Sequence, residues 1–336
     1  MTTLVTGATG HVGANLLRSL LAQDRTTRAL VHIDRKAIDG LDIEIAEGDI
    51  CNLASLSDAF HGVDVVYHLA AHISISNDKW SRFESVNVTG TRNVVEACIR
   101  SGVRRLVHFS SLSAMSPECT DFSDDTSVLL ADSNRQPSYD RSKAVAEREI
   151  YKGIEKGLDA IIISPTAVIG PYDYRPSHFG EALVRLANGK LPALIGGGYD
   201  WVDVRDVIGA AMRAEERAST GARYIISGHW VSVCDMAAIV EQITGVPAPR
   251  LVCPLWLGRI SAPVVSAFDR IIGRRPLYTR STLKILQSYQ KVSCQKAMIE
   301  LEYNPRPFRE TIVDTLRWFE EAGWLTHPLP DLYSSV

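Results

Sequence analysis

The sequence predicts an α/β protein: a Rossmann-type, doubly wound parallel sheet with a smaller, mostly helical C-terminal region. Three observations carry this. Short, near-continuous apolar runs (LVT, DVVYHLA, RLVHFSS and AIIIS) alternate with helix-like segments over the first two-thirds of the chain. That is the pattern of parallel strands covered on both faces by crossover helices. Gly7, Gly10 and Gly13 directly follow the first apolar run and open a helix. Finally, 336 residues at 46% hydrophobic and 22% charged content suffice for a sizeable core, in roughly two domains.

Taken in order, strands are predicted over Thr3–Thr6, Arg28–His32, Ile43–Glu47, Val63–Leu69, Arg105–Ser110 and Ala160–Ser164. Helices are predicted between them, over His11–Ala22, Leu53–Phe60, Val86–Arg100 and Tyr139–Lys156. After Pro165 the pattern loosens. PTAVIGPYDYRPSHFG, rich in Pro, Gly and Tyr, predicts a long ordered loop. A helix over Gly180–Asn188 follows, then a turn at Gly196–Gly198, a strand-like WVDVRDV, a helix over Asp206–Glu216 and a strand over Gly221–Ser227. The remainder reads as mostly helical to Gly323, with a frayed tail beyond Thr326. The expected domains are an NAD(P)-binding Rossmann domain over 1–165, with a returning segment near 200–228. A substrate-binding region is expected over 166–199 and 229–326, and a tail over 327–336.

A net charge of −3 offers no basic field for nucleic acid or an acidic membrane. The apolar stretch Pro254–Ile272 is interrupted by Arg259, Asp269 and Arg270. It falls short of the roughly 20 apolar residues of a membrane span and reads as an amphipathic helix. The opening MTTLVTGATGHVG starts at once with a strand and glycines, so no leader is expected. Six cysteines lie far apart, with no C-x-x-C pair and no zinc spacing. They are expected to be mostly buried, reduced thiols in a cytoplasmic protein, with no metal site.

The G-x-x-G-x-x-G turn gives its glycines mechanical work. One permits a tight turn, one lets the backbone approach a pyrophosphate, and one lets helix and strand pack closely. The helix then presents free N–H groups and a positive dipole end to the phosphates. The expected cradle is Gly7, Thr9, Gly10, His11, Val12 and Gly13. At the end of the second strand, an acidic residue suits the ribose of NAD and a basic one the 2′-phosphate of NADP. LVHIDRK places His32 there, with Arg35 and Lys36 just beyond. NADP is therefore preferred to NAD, with Asp34 as the competing feature.

In SYDRSK, Tyr139 and Lys143 are four residues apart, so they share one helix face. A free phenol has a pKa of about 10. A neighbouring ammonium is expected to lower it and make the tyrosine a usable general acid or base. Ser110 and Ser111 end the strand RLVHFSS, at the carboxyl edge where such sheets bind ligands. A hydroxyl there can bond a carbonyl oxygen as charge develops on it.

These segments together resemble the extended short-chain dehydrogenase/reductases, the NAD-dependent epimerase/dehydratase superfamily. The likeness rests on TGATGHVG, Gly48–Asp49, YHLAA at Tyr67–Ala71, NVTGT at Asn87–Thr91, FSS at Phe109–Ser111, YDRSK at Tyr139–Lys143 and PTAVIGP at Pro165–Pro171. It looks most like the bacterial dihydroflavonol-4-reductase-like and 3β-hydroxysteroid-dehydrogenase-like members. The resemblance implies that Tyr139 is the catalytic acid/base, that Lys143 holds the nicotinamide ribose, and that Ser111 binds the reacting oxygen. It implies that Asp49 and Ile50 border the adenine and that Leu69, Ala70 and Ala71 line the diphosphate-to-ribose run. Pro165 to Val168 pass beside the nicotinamide, and Asn87 fixes the helix that carries it. A homodimer through the helices at Val86–Arg100 and Tyr139–Lys156 is implied as well.

Two departures bear on the substrate. Nucleotide-sugar epimerases of this family carry an arginine where this chain has Tyr199, and the dehydratases carry an Asp–Glu pair where it has Leu112 and Ser113. The leading expectation is therefore an NAD(P)H-dependent reductase or dehydrogenase. Its substrate would be a small hydrophobic or aromatic carbonyl or alcohol compound, such as a dihydroflavonol, ketone, aldehyde or steroid. A nucleotide-sugar epimerase or dehydratase and a non-catalytic cofactor-binding scaffold are the alternatives. The pocket is expected around Ser113–Met115, Ile169–Tyr174, Tyr199–Trp201 and Trp256–Phe268, with Pro117–Gln136 as a lid.

Overall fold

The computed structural model describes residues 1–74, 78–115, 137–258, 260, 277, 286 and 292–330. The lid expected at Pro117–Gln136, most of the amphipathic stretch after Gly258 and the last six residues of the tail lie outside the described residues.

The chain divides into two compact units. The first comprises Met1–Thr166, Val204–Ile226 and Ser293–Asn304; the second comprises Ala167–Asp203, Ser227–Val292 and Pro305–Val336. The first unit holds strands β1 (Thr2–Thr6), β2 (Thr26–Val31), β3 (Glu44–Glu47), β4 (Val65–His68), β5 (Arg105–Phe109), β6 (Ala160–Pro165) and β10 (Arg223–Ile226). They form one sheet in the order β10-β6-β5-β4-β1-β2-β3, and every pairing in it is parallel. The chain winds outward from β1 to β3, then returns to β4 on the other side of β1. The order therefore reverses between β1 and β4, and the crevice above that reversal is where open α/β sheets hold ligands.

The apolar runs explain the burial. Ile161, Ile162 and Ile163 in β6 are all fully buried, each contributing about 1.5–3 kcal/mol of transfer free energy. One face of the sheet, through Leu4, Leu30, Val66, Leu106 and Ile162, packs on Val94, Val95 and Ile150. Those side chains belong to helices α4 (Gly90–Ser101) and α5 (Ser138–Glu155). Against the other face, α1 (His11–Leu21) packs on α7 (Val204–Arg217).

Several expected elements differ. The helix expected at Leu53–Phe60 is a 3₁₀ turn, Leu53–Leu56, capped by the Asn52 side chain, running into a short helix α2, Ser57–Phe60. The helix expected from Val86 begins earlier. It runs as α3 (Trp80–Phe83), a π-helical turn over Glu84–Thr89, and then α4. Polar residues on that first stretch hide its period, because a π turn shifts the register of the buried face. Among the described residues the expected burial holds only at Cys98; Cys51 is exposed, and Cys234, Cys253 and Cys294 are partly exposed, while Cys119 lies outside the described residues.

In the second unit, β7 (Ala167–Ile169), β9 (Gly198–Asp203) and β11 (His229–Ser232) make a three-stranded sheet. The expected loop PTAVIGP thus contains a strand, and the expected all-helical remainder contains β11 and a two-residue β12 (Val252–Cys253), which pairs with β8 (Leu194–Ile195). WVDVRDV is strand only to Asp203, and α7 starts at Val204. These strands are too short for an alternating pattern to declare itself. Helices α6 (His178–Ala187), α8 (Val233–Thr244) and α10 (Phe308–Glu321) pack on one another. Between them lie Leu183, Leu186, Met236, Val240, Ile312, Leu316 and Phe319. A further helix, α9 (Gln295–Glu300), belongs to the first unit. Among the described residues, no helix is long and apolar enough to cross a membrane, and no His/Cys/Asp/Glu cluster could hold a metal.

Candidate active site

The glycine turn has the shape its sequence predicts. Gly7 has φ of +69°, and a Cβ there would sit 2.6 Å from Ala70 N. A Cβ on Gly13 would sit 2.2 Å from the Gly7 carbonyl oxygen, so bare backbone is what lets β1 and α1 approach. Gly10 differs: the nearest atom to a Cβ there is the Gly7 oxygen, at 3.4 Å. The protein itself does not crowd that position, so its exposed, open side is room for a ligand. Gly10 caps α1 without any side-chain hydrogen bond, and the first turn holds no acidic residue. The N-terminus of α1 therefore has no side-chain cap from Gly10, and its first-turn N–H groups face the N-terminal end of the helix. Thr9, His11 and Val12 are partly exposed around them. An open glycine, uncapped donors and a positive helix end fit the pyrophosphate of a dinucleotide.

The YHLAA segment lies against this turn. Leu69 N donates to the Thr6 carbonyl oxygen at 3.2 Å, and Ala70 N donates to Thr6 Oγ1 at 3.3 Å; Leu69, Ala70 and Ala71 stay partly exposed. Asp49 is partly exposed, whereas Ile50 is turned inward. Asp49 Oδ1 accepts from Cys51 N at 2.9 Å, and Ile50 is buried against Gly90. Pro165 is buried as the last residue of β6, whereas Val168 belongs to β7 in the second unit.

At the ribose end, β2 stops at Val31. His32, Ile33, Arg35 and Lys36 are exposed. Arg35 pairs with Glu47 at 2.5 Å, and Asp34 Oδ1 accepts from Lys36 N at 3.2 Å.

The chemistry-bearing residues converge at the end of β5. Three consecutive residues there each engage one position of a stripe along α5. The Ser111 side chain acts on the Tyr139 phenol in the direction that lowers its pKa. Lys143 Nζ donates to the Phe109 carbonyl oxygen at 2.8 Å. Ser110 Oγ donates to Glu147 Oε1. Residues at i, i+4 and i+8 lie on one helix face, so a single strand end registers the whole stripe. Ser111 Oγ also lies 3.0 Å from Ser113 Oγ.

The electrostatics depart from the expected form. Lys143 Nζ is turned to the Phe109 carbonyl, and it is not among the groups that shift the phenol. Burial holds Tyr139 above its ordinary value and the Asp140 charge adds to this, with only Ser111 opposing. Tyr139 is thus a neutral phenol with a proton to give. Burial pushes Lys143 down to about 8, with Glu147 acting the other way.

A second polar chain supports this one. Thr91 Oγ1 donates to the Asn87 carbonyl oxygen at 2.6 Å, so His68 Nε2, at 3.0 Å, must be the donor to Thr91 Oγ1. His68 Nδ1 then accepts from Thr6 Oγ1 at 2.8 Å. Burial pushes this neutral imidazole down to about 3, with the Lys143 charge adding to the effect. Asn87 Oδ1 accepts from His72 N at 2.7 Å, and its Nδ2 donates to Ser142 Oγ at 2.8 Å. Ser142 Oγ in turn donates to the Tyr139 carbonyl oxygen at 2.7 Å. Asn87 therefore ties the YHLAA segment to the first turn of α5.

Sequence reasoning missed Glu147, Ser142, His68 and Arg223. Glu147 could have been found, since it repeats the Tyr139/Lys143 spacing once more. Arg223 could not, because nothing local links β10 to α5.

The wall residues fall differently. Met115 is fully buried in the first unit. Tyr199 and Trp201 sit in the core of the second, each edge-on to Phe179 at 5.0 and 4.9 Å between ring centroids. Ordinary packing accounts for them.

A reversed parallel sheet with a glycine cradle at the switch point and a registered Ser–Tyr–Lys set defines a nicotinamide-nucleotide-dependent oxidoreductase. The family model described as the NAD dependent epimerase/dehydratase family matches residues 3–227. The chain belongs to that family, within the extended short-chain dehydrogenase/reductases. It is similar to "Sterol demethylase protein B" of Methylococcus capsulatus, 35% identical over 97% of this chain and 100% of that protein. A "Putative dihydroflavonol 4-reductase" of Synechocystis sp. is 32% identical over 96% of this chain and 95% of that protein. Among solved structures, the one described as gox2253 superimposes with a TM-score of 0.83 at 33% identity, covering 97% of this chain and 99% of that one.

Proposed function

We propose that this protein reduces a ketone on a hydrophobic, ring-bearing substrate of the sterol or dihydroflavonol kind, with Tyr139 as the proton donor. The observation that carries this is the neutral Tyr139 phenol, influenced by Ser111 at the end of β5 and set one helix turn from Lys143. A nicotinamide dinucleotide held along Gly7–Gly13 and Leu69–Ala71 supplies the hydride. Ser111 holds the substrate oxygen and stabilises the charge that develops on it. Tyr139 gives that oxygen its proton.

The substrate class is carried over from the relatives' names, one a sterol demethylase protein and one a dihydroflavonol reductase. Tyr199 supports the choice. Where the epimerases keep an arginine for a diphosphate, this chain buries an aromatic ring against Phe179 and Trp201. We propose NADP as the preferred cofactor, read by the exposed His32 and Arg35 beyond β2.

The test is NADPH and NADH oxidation with 3-ketosteroids, dihydroflavonols and a UDP-sugar control, each with Tyr139→Phe alongside. Ketone-dependent oxidation that disappears in the variant is expected. Tight UDP-sugar binding with no ketone turnover would sink the reading.

A further inference from the structure

We propose that Glu147 is a positioning residue of this site, its buried carboxylate serving as the counter-charge that keeps the Lys143 ammonium seated and charged. The inference deepens the reading of Tyr139 and Lys143 given above and rests on it. Glu147 is 0% exposed, and Lys143, one turn earlier on α5, is 5% exposed. A carboxylate is rarely taken so far from water without a partner. Ser110 Oγ donates to one of its oxygens, and Arg223 NH2 from β10 donates to the other at 2.7 Å. Arg223 also reaches the Tyr151 hydroxyl at 3.2 Å. Both oxygens are therefore fixed, and the carboxylate cannot turn to solvent.

The groups facing Lys143 leave it little other support. From β4 and β5 come the imidazoles of His68 and His108, both kept neutral by burial. From β5 comes the Phe109 carbonyl, which takes one of three ammonium protons. From its own helix come Tyr139, uncharged, and Glu147. Glu147 is the carboxylate that acts on Lys143 and raises its proton affinity. Burial lifts Glu147 above the carboxylate range, while Arg223, Ser110 and Lys143 pull it back. The anchoring also makes geometric sense. Phe109 and Ser110 are neighbours in sequence, so the residue that receives the ammonium and the residue that holds its counter-charge move together.

The sign follows directly. Burial pushes Lys143 down to about 8, with Glu147 acting to raise it. Without the carboxylate its deprotonation moves to lower pH. The experiment is a ¹⁵N-lysine NMR titration of the cofactor-free protein, with the Lys143 resonance assigned by its disappearance in Lys143→Met. In Glu147→Gln the midpoint is expected to fall by about one pH unit or more, a tenfold weaker hold on the proton. Glu147→Asp, which keeps the charge, should restore most of it. If Glu147→Gln does not fold, the double variant Glu147→Met/Arg223→Met replaces the buried pair with apolar chains of similar size, an exchange proteins often tolerate. Its midpoint should fall in the same direction but by less, because the Arg223 charge that opposes the ammonium is removed with the carboxylate. A midpoint unmoved in a folded variant overturns the proposal. Turnover is read separately, and the high-pH limb of kcat should follow the NMR midpoint. A limb that stays put while the midpoint moves overturns the role of Lys143 in turnover, leaving its coupling to Glu147 established.

Discussion

The catalytic and adenosine ends of the first unit are built in opposite ways. At the β5–α5 end, Ser110, Lys143 and Glu147 are buried, and each has a named partner on the neighbouring element. At the β2 end, His32, Arg35 and Lys36 are exposed, Ile33 is 81% exposed, and Arg35 is held by a solvent-facing ion pair with Glu47. In the buried end every charge must be matched, so geometry and protonation are set by the fold. In the exposed end water competes for each group, and pairs there contribute little. The proposed chemistry sits where the protein controls the dielectric; the proposed cofactor choice sits where single surface residues can change at little cost to stability.

The sharpest way to break this contrast is at the buried end. Tyr139→Phe removes one hydroxyl and keeps the ring. Turnover is expected to fall by roughly 10²–10⁴-fold, the range for a lost general acid, with cofactor affinity unchanged by fluorescence titration. A variant retaining most of its kcat would mean that the proton comes from elsewhere.

Stability against pH tests the same end without any substrate. His68 is held neutral, down to about 3, whereas an unfolded imidazole titrates at about 6.5. As pH falls below 6.5 the unfolded chain takes up a proton that the native state refuses. Stability is therefore lost over that window, by roughly 2 kcal/mol at pH 5 for this one group. His68→Gln keeps a donor and an acceptor but cannot titrate. Its urea midpoint should fall less than wild type between pH 7 and pH 5, the remainder coming from His108, whose pKa is likewise lowered by burial. Equal falls in both proteins would show that His68 is not held as the hydrogen bonds imply.

The buried end was also the more legible one in sequence. Gly7, Gly10, Gly13, Tyr139, Lys143 and Ser111 act through spacing along one strand end or one helix, and spacing is what a sequence displays. The first unit's strands were readable for the same reason: full burial on two faces leaves continuous apolar runs. What stayed hidden depends on partners distant in sequence. Arg223 reaches Glu147 only because β10 joins the sheet beside β6. The expected lowering of the Tyr139 phenol is not what the structure gives, because burial, with the Asp140 charge adding to it, raises the phenol, and the extent of burial is not written in spacing. In the second unit, β11 needs Gly228 pressed onto the Trp201 backbone, where a Cβ would lie 2.0 Å from the Trp201 carbonyl oxygen. No local pattern announces such an approach.

The exposed end carries the smallest expected effect. Arg35→Ala removes a guanidinium that is 45% exposed and paired with Glu47, which is 79% exposed, so the melting temperature should move little. If Arg35 reads the 2′-phosphate, the variant should bind NADPH several-fold more weakly and leave NADH affinity unchanged. Glu47→Gln should do the reverse, freeing the guanidinium and removing a negative charge from near the phosphate. Its NADPH affinity should rise, and the gain should shrink with added salt, since exposed charges are screened over about 10 Å at 0.1 M. Parallel losses for both cofactors in Arg35→Ala would place the selecting residue elsewhere. Asp34 is then the next position to change, because a carboxylate at that strand end accepts a ribose hydroxyl and repels a phosphate.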